Sequence, residues 1–277
     1  MADEALPAAT SVGRVALTVS DVAEVAEFYA TVVGLSVQDR TDGRVVLGAG
    51  ETALLELHED ADATVRPRSA AGLFHTAFRV PSRAALGDAL ARIESSGRFT
   101  GAADHLVSEA LYCQDPEGNG VEVYWDRPRA EWERTADGGV RMATDPLDAD
   151  GIRAAAAGDD AAPRGTDVGH VHLEVTDLDA ARDFYVDGLG MNVRTTYEGA
   201  VFLAAGDYHH HVGANVWNGR SAPASGRGLR WYELVVPDSA ALAAVRDRLA
   251  AAGYAVESTE DGLAVTGLDG LTVRLRT

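Results

Sequence analysis

Between Asp104 and Glu122 the chain sets a His, a Tyr and a Glu on what reads as two strands joined by a turn. The order is His105, five residues, Leu111-Tyr112, then Asp115-Pro116-Glu117-Gly118 and finally Glu122. Proline presets φ and glycine supplies a left-handed position, so this is a tight turn. Beyond it Gly120–Tyr124 alternates, with Val121 and Val123 on one face and Glu122 and Tyr124 on the other. An imidazole can ligate a metal or carry a proton near neutral pH. A carboxylate on the same surface can hold a cation. A second concentration of such groups is Tyr208-His209-His210-His211, just before Val212. Metal binding and proton transfer are the chemistries these residue types offer.

The elements that must position them repeat. Val12–Asp21 recurs as Val168–Asp177, an offset of 156 residues, and each copy is followed by a helical stretch carrying Phe28-Tyr29 or Phe184-Tyr185. Gly72–Pro81 recurs at the same offset as Gly228–Pro237. Helices are predicted over Arg83–Ser95 and Ala240–Ala252, capped by Ser82 and Asp238, with Gly97 and Gly253 ending them. The chain therefore divides into four βαβββ modules, at 12–60, 72–126, 168–218 and 228–277. The N-terminal half is 1–130 and the C-terminal half 167–277. The polar, Pro-, Gly- and Asp-rich stretch between them, 131–166, reads as a linker that wraps the surface. Alternation puts Val15, Leu17 and Val19, Phe78 and Val80, Val171, Leu173 and Val175, and Leu234 and Val236 under the helices. The opposite face of each first strand carries Arg14, His75, His170 or Trp231, and the last strands add Glu122 and Arg274.

The His105–Glu122 motif resembles the signature of the extradiol ring-cleavage dioxygenases of the vicinal oxygen chelate superfamily, and the four modules resemble that superfamily's fold over nearly the whole chain. One position departs: Ala103 stands where Gly, Asn, Thr or a β-branched aliphatic residue is usual. The resemblance implies an α+β fold in which paired modules form curled sheets and a metal sits in the cup between two modules. Pairing modules one and two would offer Arg14, His75 and Glu122, and pairing three and four would offer His170, Trp231 and Arg274. A guanidinium donates and does not ligate, so neither set is complete. Pairing two with three offers His75, Glu122 and His170, a two-His, one-carboxylate triad with positions left for substrate and O2. That cup would form within one chain or across a dimer. Arg14, Trp231 and Arg274 are left for a cup without a metal.

By the same resemblance, His210 is the acid–base group, with His209 and His211 as alternatives. Tyr112 and His105 are the groups hydrogen-bonding the substrate oxygens, and His172 lines the pocket. Some relatives hold the metal with a further carboxylate. Glu56 has that position in module one, but its module-three counterpart is Val212. The implied activity is Fe(II)-dependent cleavage of a catechol-type ring with O2 as co-substrate, most similar to two-domain catechol 2,3-dioxygenases. Mn(II) would satisfy the same ligands. The alternatives are a hydroquinone dioxygenase, a glyoxalase-like isomerase, or a non-enzymatic small-molecule binding protein of the same fold.

Composition narrows the partners. Asp and Glu number 43 against 24 basic residues, all of them Arg, for a formal charge of −19. That field disfavours nucleic acid and anionic membranes and suits a salt-adapted protein. The one cysteine, Cys113, is read as packing and fits a reducing compartment. No apolar run approaches a membrane span and Met1–Ser11 lacks the marks of a signal peptide, so a cytoplasmic protein is expected. A small aromatic diol is the expected partner, with a homo-oligomer allowed.

Overall fold

The computed structural model describes residues 5–136 and 138–277. It is an α+β fold of two curled, eight-stranded sheets. In the first, β14 (Val256–Thr259), β15 (Gly262–Thr266), β16 (Thr272–Arg276) and β13 (Gly228–Val235) continue into β1 (Ser11–Val19), β4 (Thr52–Glu59), β3 (Arg44–Ala49) and β2 (Ser36–Thr41). In the second, β10 (Asn192–Tyr197), β11 (Ala200–Ala204), β12 (Val212–Asn215) and β9 (Asp167–Glu174) continue into β5 (Gly72–Arg79), β8 (Gly120–Asp126), β7 (Ser108–Gln114) and β6 (Phe99–Asp104). Module one thus joins module four, and module two joins module three. The joins are antiparallel pairs, β1 with β13 and β5 with β9. Neither sheet is the product of one half of the chain.

Helices α1 (Val22–Phe28), α2 (Arg83–Ser96), α4 (Leu178–Arg182) and α5 (Ser239–Ala251) follow the first strands of the four modules. Each starts on a side-chain cap: Asp21, Ser82, Asp177 and Asp238 accept from backbone N–H groups of the first turn. Gly97 ends α2 in the left-handed conformation, at φ 69°. The predicted strand face is buried: Val15, Leu17, Val19, Phe78, Val171, Leu173 and Leu234 belong to one continuous apolar core with Leu86, Leu90 and Leu249 of the helices. Cys113 lies in this core and burial pushes its thiol up to about 12, so it is an inert packing residue.

A repeated glycine lets the joined modules approach. A Cβ on Gly169 would stand 1.7 Å from the Tyr124 hydroxyl, and one on its repeat partner Gly13 would stand 2.8 Å from Glu233 Oε2. Both first strands therefore yield space to a side chain of the neighbouring module. The stretch 131–166 carries a short helix, α3 (Ala149–Ala155), and buries Trp132, Val140 and Ile152. It also pairs with β6 through Asp104 and Asp145, which brings it over one sheet. No helix among the described residues is long and apolar enough to cross a membrane.

Candidate metal centre and substrate cavity

The centre of the second sheet is built around a small residue. Ala77 on β5 lies opposite Glu122 on β8 and opposite His170 on β9. A methyl at that point leaves room for the longer side chains on both sides and for His75, two residues earlier, to converge. Glu122 Oε2 is 3.0 Å from His75 Nε2 and 3.3 Å from His170 Nε2, and the two Nε2 atoms are 3.3 Å apart. All three residues are buried and come from one chain. Among the described residues this is the one His/Cys/Asp/Glu group placed to hold a metal ion.

The triangle fits a cation. Cis ligands at about 2.1 Å from one ion stand about 3 Å apart, close to what is observed. Without an ion, an imidazole Nε2 must carry hydrogen toward Glu122; with one, all three atoms can turn lone pairs to it. Burial favours the ligand form of His170, lowering its pKa to about 4, although Glu122 pulls it back up. Burial opposes ionisation of Glu122, but His170 and His75 outweigh it and hold the carboxyl well below its ordinary value. The site therefore presents one carboxylate and a neutral His170 at pH 7. The register corrects the offset reading: Glu56 pairs with Ala16 and Gly213 with His172, so the counterpart of Glu56 is Gly213, while Val212 pairs with Val171 and is buried in the core.

One face of the triad opens on a cavity of about 460 Å³. Tyr112 lines it and pairs across the sheet with Glu122. Burial and the Glu122 charge raise its phenol well above the ordinary value, so the hydroxyl keeps its proton. Its oxygen is 2.6 Å from His105 Nε2, and His105 Nδ1 is 2.6 Å from the Ala143 carbonyl. A carbonyl can only accept, so Nδ1 carries hydrogen and, in neutral His105, Nε2 accepts from Tyr112. Leu106, at φ 67°, turns the chain sharply just after His105.

His210 lines the same cavity, its ring centroid 4.0 Å from that of His170. His209 and His211 are buried but not among the lining residues. His210 reaches the cavity from a bend, because β12 begins only at Val212. Alternation does not explain this: Val212, two residues on, faces the core, and His210 reaches the cavity because the segment before β12 is irregular. Burial, with the neighbouring imidazoles, drives the His210 pKa well below its ordinary value. His172 also lines the cavity, and its Nε2 is buried with no hydrogen-bond partner.

Several lining groups were not among the expectations. Phe74 enters because β5 carries a register shift between Leu73 and His75, which turns Phe74 to the His75 side while Leu73 goes to the core. Met142, Ala143 and Thr144 come from the stretch between the halves, and Tyr197 donates to the Met142 carbonyl. Phe202 and Trp217 complete the wall. No sequence signal marked the linker residues; the aromatic ones lie on or beside strands already placed.

The other sheet forms a different cup. Arg14 and Arg274 lie over the Trp231 ring at 5.6 and 4.1 Å. Glu233 fills the centre, bound by Arg14 at 2.6 Å and Arg276 at 3.3 Å, while Glu56 is held by Arg44, Arg14 and His58. Glu233 could have been read from the sequence: it follows Trp231 by two residues and shares its face.

Comparison with known proteins agrees with this architecture. The family model described as the Glyoxalase/Bleomycin resistance protein/Dioxygenase superfamily matches residues 11–123 and 167–266. The chain is 42% identical over 266 residues to the catechol-2,3-dioxygenase of Bacillus subtilis (strain 168), covering 92% of this chain and 93% of that protein. Among solved structures, a dioxygenase candidate from Bacillus subtilis subsp. subtilis str. 168 superposes with a TM-score of 0.68 at 14% identity, over 98% of this chain and 85% of that one. Glyoxalase I from Zea mays does so with a TM-score of 0.59 at 16% identity, over 96% and 92%. At these identities the two structures speak for the fold.

Proposed function

The chain belongs to the glyoxalase/bleomycin resistance protein/dioxygenase superfamily, and from that premise we propose that it is an extradiol dioxygenase opening a catechol-type ring with O2. The observation that carries this reading is the Glu122–His75–His170 triangle at one end of a cavity whose polar groups include a Tyr112–His105 pair and His210. The 42% identity to a catechol-2,3-dioxygenase supports it. The three triad residues would hold Fe(II), with Mn(II) compatible with the same donors. When bound, the ion would favour the diol's anionic form and give O2 a path to its electrons.

The protein's own groups divide the remaining work. Tyr112 donates to His105 and keeps its oxygen lone pairs for a substrate hydroxyl. A proton leaving that hydroxyl can pass to the Tyr112 oxygen as the phenol proton moves to His105 Nε2. The Ala143 carbonyl then steadies the imidazolium through Nδ1. His210, on the opposite side near His170, holds a neutral imidazole for the later proton step. The aromatic wall excludes water from the reacting ring. Gly213, at the position matching Glu56, supplies no further carboxylate and would leave more of the ion's coordination open than a glyoxalase-type site, which favours oxygen chemistry over isomerisation.

The test is oxygen consumption by protein purified without air and loaded with Fe(II). Catechol should be consumed one-for-one with O2, giving a visible-absorbing ring-opened semialdehyde that carries both oxygen atoms. No O2 uptake with any catechol, despite one bound Fe(II) per chain, would remove the proposal.

A further inference from the structure

We infer that the preferred substrate is an uncharged catechol bearing an apolar substituent of about the bulk of a second ring; this rests on the ring-cleavage reading above. The first argument is size. A cavity of roughly 150 Å³ closes around a benzene, whereas this one is about 460 Å³. An ion and O2 together need less room than one ring, so a bare catechol leaves much of the space unfilled. Apolar volume without contacts is lost dispersion and lost burial, and a substrate that fills it gains both.

The second argument is where the surplus space lies. From the triad the wall runs outward through rings in edge contact: His75 to His172 at 5.0 Å, His172 to Trp217 at 5.2 Å, and Phe74 to Trp217 at 5.6 Å. Phe202 joins His172 at 5.4 Å from the other side. Trp217 is 49% exposed and marks the mouth. The space beyond the reacting ring is thus an aromatic sleeve between the ligands and solvent. Gly213 lets His172 take its place in that wall: a Cβ there would stand 2.9 Å from the His172 ring.

The third argument is charge. Among the described residues no arginine lines the cavity, although the chain has 24 basic residues, all Arg. The acid at the rim is Glu198. A carboxylate on the substrate would enter a field of net charge −19 past that acid with no guanidinium to receive it.

The experiment compares kcat/KM of the Fe(II)-loaded protein for catechol, a phenyl-substituted catechol and a dihydroxybenzoate. The phenyl compound should exceed catechol by about tenfold or more, the scale set by filling an apolar pocket, and the dihydroxybenzoate should fall below both. Trp217→Ala should shrink the phenyl-to-catechol ratio several-fold. Equal or reversed preference for catechol, efficient cleavage of the dihydroxybenzoate, or an unchanged ratio in the variant would overturn the inference while leaving ring cleavage intact. If no diol is cleaved, the ring-cleavage reading fails, and quenching of tryptophan fluorescence by the three diols still decides the cavity's preference. Tighter binding of the phenyl compound supports the sleeve, and equal binding overturns it.

Discussion

His209 and His210 meet through their Nδ1 atoms at 2.7 Å, and His209 Nε2 lies 2.9 Å from Asp126 Oδ1. His209 lowers the pKa of Asp126 against the effect of burial, so the carboxylate accepts and His209 Nε2 carries hydrogen. In neutral His209, Nδ1 is then the acceptor, and His210 Nδ1 must donate to it. This leaves the His210 Nε2 lone pair free to take a proton. The chain Asp126–His209–His210 fixes a tautomer by hydrogen bonds alone.

From this follows a graded pair of variants. His210→Asn should keep its metal and slow turnover by about 10²–10⁴-fold, the range for a positioned acid–base group. His209→Phe, which removes the Nδ1 acceptor together with the Nε2 donor to Asp126, should slow it by about 10–10²-fold, with the metal content unchanged. Single-turnover rates with metal analysis on the same samples decide. Wild-type turnover in His209→Phe would show that the tautomer is fixed by something else.

Glu122→Gln tests the centre itself. The amide keeps shape but removes the anion that anchors the cation, and its NH2 can point at the imidazoles. The variant should fold, with unchanged far-UV circular dichroism, and lose tight metal binding. Full iron content by elemental analysis would refute the ligand assignment.

Much of this was legible because the physics is local or periodic. The 156-residue offset pointed to four similar modules, and the turn at Asp115–Gly118 is visible in its own residues: the Asp115 carboxylate accepts from the backbone of Glu117 and Asn119, and Gly118 has φ 85°. The joining of modules two and three followed from the chemistry of the residues left over, and the pairing of β5 with β9 agrees with it. Phe74 was hidden because one shifted register position reverses alternation, which no composition signals. Ala143 was hidden because it contributes a backbone carbonyl, and every residue has one. Trp217 lies just past β12, in a loop where periodicity has nothing to say.

Burial of neutral histidines makes stability pH-dependent. His170 is lowered to about 4 and His211 to about 3, against about 6.5 in the unfolded chain, and His172 and His210 shift the same way. Between those values the unfolded state binds more protons, so stability rises with pH and is lost as pH falls below about 6.5. Metal-free protein should have a lower urea midpoint at pH 5 than at pH 7. Equal midpoints would mean these imidazoles are not buried in their neutral form.

The surface should respond to salt. With 43 acidic and 24 basic residues, self-repulsion among carboxylates destabilises the compact state, and added ions screen it. The thermal midpoint should rise between 0.1 and 2 M KCl. A flat response would remove any salt adaptation from the reading of the composition.

The Glu233 cup supplies the control for the candidate metal centre. Glu233 is buried, and burial alone would raise its pKa; Arg14, through a side-chain and a backbone hydrogen bond, and Arg276 bring it below the ordinary value. Arg14→Met would leave that carboxylate with Arg276 at 3.3 Å and the backbone N–H of residue 14 at 3.0 Å as its partners. Breaking a fully buried pair costs about 3–5 kcal/mol; Arg14 keeps 23% of its side chain exposed and Arg276 remains, so about 2–3 kcal/mol is expected here. The loss should show as a lower urea midpoint and should shrink at low pH, where Glu233 becomes protonated. Metal content and the KM for catechol should not change, because Arg14 lies in the other sheet from Glu122. A variant that folds normally yet loses its metal would mean that the two cups are coupled, and that the first is part of the machinery of the second.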